Sequence, residues 1–298
     1  MAVDLSLCIV SLDCWRVLQD CLESVASAEP GLATEVILVD NASRDGTPER
    51  VRERFPSVRL IVNGTNVGFT RATNQAIRLS SGRRLVWLNP DTVLRPDSLG
   101  QLSAFLDAHP EVGIVGPKVL NADGSFQPQC RRGLPTPTAA LAYMLRLHRL
   151  WPTNPRFGGY LMNHLPVDEA TEVAAVSGCC LMARREVWDA IGPLDETIFG
   201  FGEDVEWCVR ARNAGWQVWY DPRSVIVHLK GQGGVQSKPL HKVWGIHQAM
   251  WVFYRKHLRA QHSWPVTALV WAGVWSSFAL SSLSVAVRRS AARVIARH

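Results

Sequence analysis

No aspartate or glutamate occurs after Asp221, although the chain runs on to His298. Those last residues hold eleven Lys and Arg, whereas the residues up to Asp221 hold 21 Lys and Arg against all 26 acids. The net charge of +6 therefore divides into a body of −5 and a tail of +11. A tail of one sign suits an anionic membrane surface, a pyrophosphate or a nucleic acid. Charge of either sign is missing from Ala260 to Val287, a run of 28 residues. That is long enough to cross a bilayer. Arg255, Lys256 and Arg259 precede the run; Arg288, Arg289, Arg293 and Arg297 follow it. Within it Gly273, Ser277, Ser281 and Ser284 share one helical face, and Trp264, Trp271 and Trp275 another. The basic flanks and the serine face favour a helix lying in the interface, or re-entering it, over a full crossing.

Cysteine pairing signals are absent too. The seven cysteines are odd in number and form no CxxC and no Cys/His ligand spacing, which argues against a disulfide framework or structural zinc and for a reduced, cytosolic compartment. Met1 to Ser6 lead directly into a strand-like run, so no signal peptide is expected. There is no internal repeat and no low-complexity tract. With 47% hydrophobic and 19% charged residues, bulk disorder is excluded, and 298 residues suffice for one large domain or two small ones.

What is present is an alternation. Short apolar runs at 5–11, 35–40, 58–62, 84–89 and 112–117 read as strands, and helical periodicity occupies 14–27, 45–55, 68–80 and 97–108. This predicts βαβ units and an α/β fold with a mostly parallel sheet flanked by helices. Open parallel sheets take ligands at the carboxyl ends of their strands. Three polar clusters fall there: Asp40 to Ser43, Asn63 to Asn66, and Asn89-Pro90-Asp91. Residues 125–170, rich in Pro, Arg and Gly, read as a long excursion over the active-site face. Compact segments at 172–196 and 200–222 follow.

Five positions carry chemistry. Asp40 ends the "VDNAS" strand, where a carboxylate can accept a proton from a base or ribose; Ser43 and Asp45 read equally well as helix caps. Asp91, behind Pro90, suits a hard divalent cation held against a diphosphate, or a plain turn. Glu203 and Asp204, with Glu206, crowd a helix start, where the dipole favours acids whether or not one of them serves as a general base. His228 ends "SVIVH" and precedes the glycine-rich "LKGQGG".

The order of "VDNAS", "NVGFTRATNQAI", "LNPDT", "VSGCCLMARREVWDAIGPLDE", "GEDVEW" and "HLKGQGG" resembles the inverting nucleotide-sugar glycosyltransferases of family 2, in particular their rhamnosyltransferase-like branch. The resemblance implies a GT-A fold over 1–258, with 1–120 as the nucleotide-binding half and 121–258 as the acceptor-binding half; 259–298 is the membrane-associating tail that its composition indicates. It implies that Asp40, Asn66, Gly68 and Asn89 bind the nucleotide, that Asp91 and His228 hold Mg²⁺ or Mn²⁺, and that Asp204 is the catalytic base beside Glu203. Asn89 stands at the first position of the DxD-type motif, Leu12-Asp13 replaces the usual Tyr-Asn, and Gly233 stands where serine is common. The QxxRW motif of polymerising relatives is missing, which implies transfer of one sugar at a time.

Two readings follow. One is a metal-dependent inverting transferase moving rhamnose or another deoxyhexose from a dTDP-, UDP- or GDP-sugar to a glycan or polyprenyl-linked acceptor. It would work at the cytoplasmic face of the cell membrane, in cell wall or polysaccharide biosynthesis, with no nucleic-acid partner. The other is a non-catalytic membrane-bound scaffold or lectin-like module on a degenerate transferase fold. A nucleotidyltransferase would want a basic phosphate-binding signature near the amino terminus, and "IVSLDCW" offers none.

Overall fold

The computed structural model describes residues 3–28, 31–198, 200–231 and 239–295, with side chains up to 287. The first half alternates strand and helix as the periodicity predicts: β1 (Leu5–Ser11), α1 (Trp15–Ala28), β2 (Thr34–Asp40), α2 (Thr47–Arg54), β3 (Arg59–Val62), α3 (Phe69–Arg78) and β4 (Arg84–Leu88). Then come β5 (Thr92–Leu94), α4 (Ser98–Ala108) and β6 (Val112–Leu120). The second half contains β7 (Arg131–Arg132), the short helices α5 (Pro137–Met144), α6 (Leu147–Leu150) and α7 (Pro155–Gly158), then β8 (Thr171–Glu172), β9 (Ala175–Val176), β10 (Cys180–Arg184), α8 (Arg185–Ile191), α9 (Glu203–Asn213) and β11 (Gln217–His228). Two helices, α10 (Pro239–Phe253) and α11 (Trp264–Ile295), close the chain.

Nine strands form one sheet, ordered β3-β2-β1-β4-β10-β6-β11-β5, with β8 paired to β11. Strands β3, β2, β1 and β4 run parallel; β10 lies antiparallel between β4 and β6. All seven residues of β1 and all five of β4 are buried. Both are central strands covered on two faces, which is why they read as continuous apolar runs rather than alternations. Helix α1 buries Val17, Leu18, Cys21 and Leu22, the spacing of a single apolar stripe. On the other side Trp87 of β4 meets Trp207 of α9 at 5.3 Å between ring centroids. All seven cysteines are buried and unpaired, and burial raises the thiol pKa of Cys8, Cys14, Cys21, Cys130, Cys180 and Cys208.

The mostly parallel sheet flanked by helices is the architecture expected. Two details depart from the sequence reading. The 125–170 excursion is not a bare loop, because α5, α6 and α7 lie within it. The strand read as 84–89 stops at Leu88, and the chain turns at Asn89–Asp91 straight into β5, which pairs antiparallel with β11.

That turn positions the site. In the β5·β11 ladder His228 lies opposite Thr92, so a residue far along the chain arrives beside Asp91. Along the tail, α11 packs on α10 through Trp244–Trp275 and Trp244–Phe278 ring contacts and a 3.1 Å contact between His247 Nε2 and the Ser277 hydroxyl. The serine face therefore turns partly toward the body. From Trp264 to Val287, α11 is long and apolar enough to cross a membrane, and little of its most apolar stretch is buried.

Candidate active site

Asp91 is buried, and its Oδ1 lies 3.2 Å from His228 Nε2. The other ring nitrogen, Nδ1, is 3.2 Å from Gln127 Oε1, and the Gln127 amide donates to the His228 carbonyl at 2.7 Å. Burial opposes the imidazolium, but the neighbouring Cys179 sulfur and the Asp91 carboxylate outweigh it and raise the histidine pKa from 6.5 to about 10. Glycine-rich residues 232–234, Gly233 among them, lie outside the described residues; Gly231 is in the left-handed region at φ 81°.

The acids of α9 separate into three environments. Asp204 Oδ2 accepts from Arg132 Nη2 at 2.5 Å and from the Gly178 amide at 2.9 Å, while Oδ1 accepts from the Val205 amide at 2.7 Å. Arg132 also donates to the Val176 carbonyl at 2.8 Å. Burial works against its charge, yet Asp204 overcomes this and holds the guanidinium firmly protonated. Glu203 is buried, and among the described residues its Oε2 has no hydrogen-bond partner. Burial, then the neighbouring Asp204 charge, pushes its pKa up from 4.5 to about 8. Glu206 is tied at 3.0 Å to Arg210 and at 3.2 Å to His257, and so serves the packing of α9. The turn before the helix passes through Phe201 at φ 71° and Gly202 at φ 99°. A left-handed aromatic residue is uncommon enough to mark a site under constraint.

One segment joins the two clusters. The carbonyl of Cys179 accepts from the Asn89 amide at 3.0 Å and from the Thr92 hydroxyl at 3.1 Å, fixing the turn that carries Asp91. The adjacent Gly178 amide binds Asp204. A Cβ on Gly178 would stand 3.3 Å from that of Asp204 and 3.6 Å from the Trp87 ring, which is why glycine fits. The "VSGCC" run thus has a role that its composition did not announce.

At the nucleotide side, Asp40 is fully buried. Its oxygens accept from the Ser11 hydroxyl at 2.9 Å, the Ser43 amide at 2.8 Å and the Ser43 hydroxyl at 2.5 Å. Asn66 is exposed and its side chain accepts from the Gly68 amide at 2.9 Å; Gly68 precedes α3 at φ 90°. Asn89 is half-buried. The Asn41 side chain, not singled out from the sequence, stitches this region by donating to the Gly68 carbonyl at 3.3 Å and accepting from Asn63 at 3.0 Å.

Arg132 is the chief residue that sequence reasoning missed. Neighbours on a strand face opposite ways. In β7, Arg131 is drawn to the carbonyls of Pro166, Met162 and Leu165, and Arg132 to Asp204. The available signal was the doublet itself, in a strand too short to recognise. Tyr160, half-buried, lies beside the same guanidinium, and desolvation raises its hydroxyl pKa.

The donor set suits a divalent cation in part. One carboxylate and one imidazole leave most of a coordination shell to water and to substrate phosphates, the usual habit of Mg²⁺. Among the described residues no group of three acidic, histidine or cysteine side chains could hold a metal alone.

The model of glycosyl transferase family 2 matches residues 6–191. The N-acetylglucosaminyl-diphospho-decaprenol L-rhamnosyltransferase of Mycobacterium tuberculosis is 31% identical over 241 residues, which cover 76% of this chain and 77% of that protein. The dTDP-rhamnosyl transferase RfbF of Shigella flexneri is 25% identical over 75% of this chain and 72% of its own length. The mannosyltransferase PcManGT of Pyrobaculum calidifontis, solved with GDP-Man and Mn²⁺, superposes with a TM-score of 0.59 at 17% identity, covering 100% of this chain and 79% of that one.

Proposed function

The chain belongs to glycosyl transferase family 2 and is a nucleotide-sugar glycosyltransferase of GT-A fold, and from that premise we propose that it moves a single rhamnose, with inversion, from dTDP-rhamnose to a polyprenyl-linked acceptor. One observation carries the reading. The Asp91–His228 and Arg132–Asp204 pairs flank the same short segment, Gly178-Cys179, so a diphosphate site and a base site adjoin. The relatives' names supply the sugar and the lipid-linked acceptor.

Asp204 is the proposed base. Arg132 and the Gly178 amide fix its carboxylate, and Oδ1, which carries only one short contact to an amide, keeps a lone pair for the acceptor hydroxyl proton. Glu203 is the poorer candidate at neutral pH, because a carboxyl with its pKa raised to about 8 still holds its proton there. Its unpartnered oxygen suits a hydrogen bond to the incoming acceptor instead. A scaffold would gain nothing from such a group. Asp91 would hold Mg²⁺ or Mn²⁺, together with His228 once its ring proton is displaced by the ion, and the Lewis acidity of the bound ion would neutralise the departing nucleoside diphosphate. Asn89 and the turn around Asn66 and Gly68 lie at the strand ends that would receive the nucleotide. Asp40 supports that pocket through its bonds to Ser11 and Ser43, a deeper position than direct contact with the base requires. The exposed apolar length of α11 supports attachment to the cytoplasmic leaflet, where such an acceptor resides.

The test is a panel of nucleotide sugars presented to the purified chain with a polyprenyl-diphosphate sugar acceptor. Release of dTDP and an inverted anomeric centre in the product, read by NMR, are expected. Consumption of a different donor, or retention of configuration, would overturn the assignment.

A further inference from the structure

The excursion that carries α5, α6 and α7 holds a second feature of one-sided composition. From Gly124 to Val167 there is no acidic residue, and Arg146, Arg149 and Arg156 are exposed. None of the three pairs with a carboxylate among the described residues. Interleaved with them, Leu141, Leu145, Leu150 and Trp151 are 55%, 60%, 67% and 51% exposed. Four large apolar side chains so exposed within a short stretch are unusual on a surface that faces only water. The base beneath them is nevertheless well held: Arg131 binds three carbonyls of the returning segment, those of Met162, Leu165 and Pro166, and the Gly133 amide donates to the Tyr160 carbonyl at 2.9 Å.

We propose that residues 137–157 form a docking surface for an anionic phospholipid bilayer, separate from α11. Exposed leucine and tryptophan beside unpaired arginine is the chemistry of an interfacial segment, with the rings and aliphatic groups among the acyl chains and the guanidinium groups on phosphates. A second copy of the chain is a poorer occupant, because a two-fold contact would set these arginines against themselves. Tyr143 of α5 meets Tyr160 edge-on at 5.2 Å, and Tyr160 lies beside the arginine that holds Asp204. The bilayer face is therefore three side-chain contacts from the proposed base. It stands independently of which sugar or acceptor is used, and its test involves no turnover.

The native cysteines are all buried, so a thiol introduced at Leu145→Cys in the full chain takes a bimane probe selectively. A matched probe at Glu53→Cys, exposed on α2, serves as reference. Both are mixed with phosphatidylcholine vesicles with and without phosphatidylglycerol. The expected result is a blue shift and quenching by acyl-chain spin labels at position 145 alone, enhanced by phosphatidylglycerol. Combined Arg146→Gln, Arg149→Gln and Arg156→Gln should weaken binding to the anionic vesicles about tenfold to a hundredfold. A chain that binds vesicles while both probes remain in water would assign docking to α11 alone and overturn the proposal. A dimer in solution that Leu145→Asp dissolves, with no vesicle-induced shift, would give this surface to a second copy and overturn it equally.

Discussion

Asp204→Asn tests the proposed chemistry most directly, and the structure sets both the loss in rate and the loss in stability. Removing a general base costs roughly 10²- to 10⁴-fold in turnover. The amide also disturbs the fold, because each carboxylate oxygen faces donors: Arg132 and the Gly178 amide at Oδ2, the Val205 amide at Oδ1. Whichever way the asparagine turns, its own N–H₂ meets one of them. In addition the Arg132 charge, in a side chain only 11% exposed, loses its counter-ion. Breaking a buried pair from one side costs about 3–5 kcal/mol. For a chain of this size that lowers Tm by roughly 10 °C, which leaves a folded protein at room temperature. The assay is therefore single-turnover transfer at saturating donor, well below the melting transition, with donor affinity measured by calorimetry on the same preparation. A loss of at least about a hundredfold in the single-turnover rate with donor affinity retained is expected. Near-normal turnover in Asp204→Asn, together with a dead Glu203→Gln, would move the base by one residue. Activity in both variants would reduce the acidic cluster to a helix start.

Other outcomes follow from the same geometry. Glu203 and His228 both have folded-state pKa values raised, from 4.5 to about 8 and from 6.5 to about 10; the stability each contributes is complete below its ordinary value and lost as pH rises through the raised one. Urea unfolding should thus show stability falling from about pH 4.5 to about pH 10, with Glu203→Gln flattening the part below about pH 8; a flat profile would contradict the burial of Glu203. EDTA should abolish transfer, and Asp91→Ala should weaken nucleoside-diphosphate binding in calorimetry; full activity in EDTA would leave the leaving group to basic side chains. Gly178→Ala, whose Cβ would press on Asp204 at 3.3 Å, should cost about 1–3 kcal/mol in stability and about tenfold in turnover, with thermal melts and kinetics separating the two. Replacing the exposed Leu269, Leu280 and Leu283 of α11 by lysine should shift the chain from the membrane pellet toward the supernatant with its melting temperature retained; unchanged sedimentation would remove α11 from the membrane contact.

The parts of this molecule that could be read from sequence are those whose cause is local. Central strands such as β1 and β4 are buried on both faces, so burial writes itself into a few consecutive residues, and the helix boundaries fell within two residues of the periodicity. The strand-tip carboxylate Asp91 was visible because a strand that ends in Asn-Pro-Asp leaves a local mark. Its partnership with His228 came only through the family resemblance and not from any local pattern, because it depends on the β5·β11 ladder, and β5 is a three-residue strand with no periodicity to detect. Arg132 was hidden for a related reason. Its meaning lies in Asp204, 72 positions away, and the two-residue strand that aims it at that carboxylate owes its existence to pairing with β9. Asp40 was legible as a strand tip, yet the sequence could not tell that Ser11 and Ser43 would occupy its oxygens. Glu203 and Asp204 show the same limit at closer range: adjacent acids in one helical turn look equivalent in sequence. A guanidinium and a glycine amide reached by separate long-range contacts fix the carboxylate of one and leave the other buried with an unpartnered oxygen. The two roles are assigned by what arrives from elsewhere in the fold.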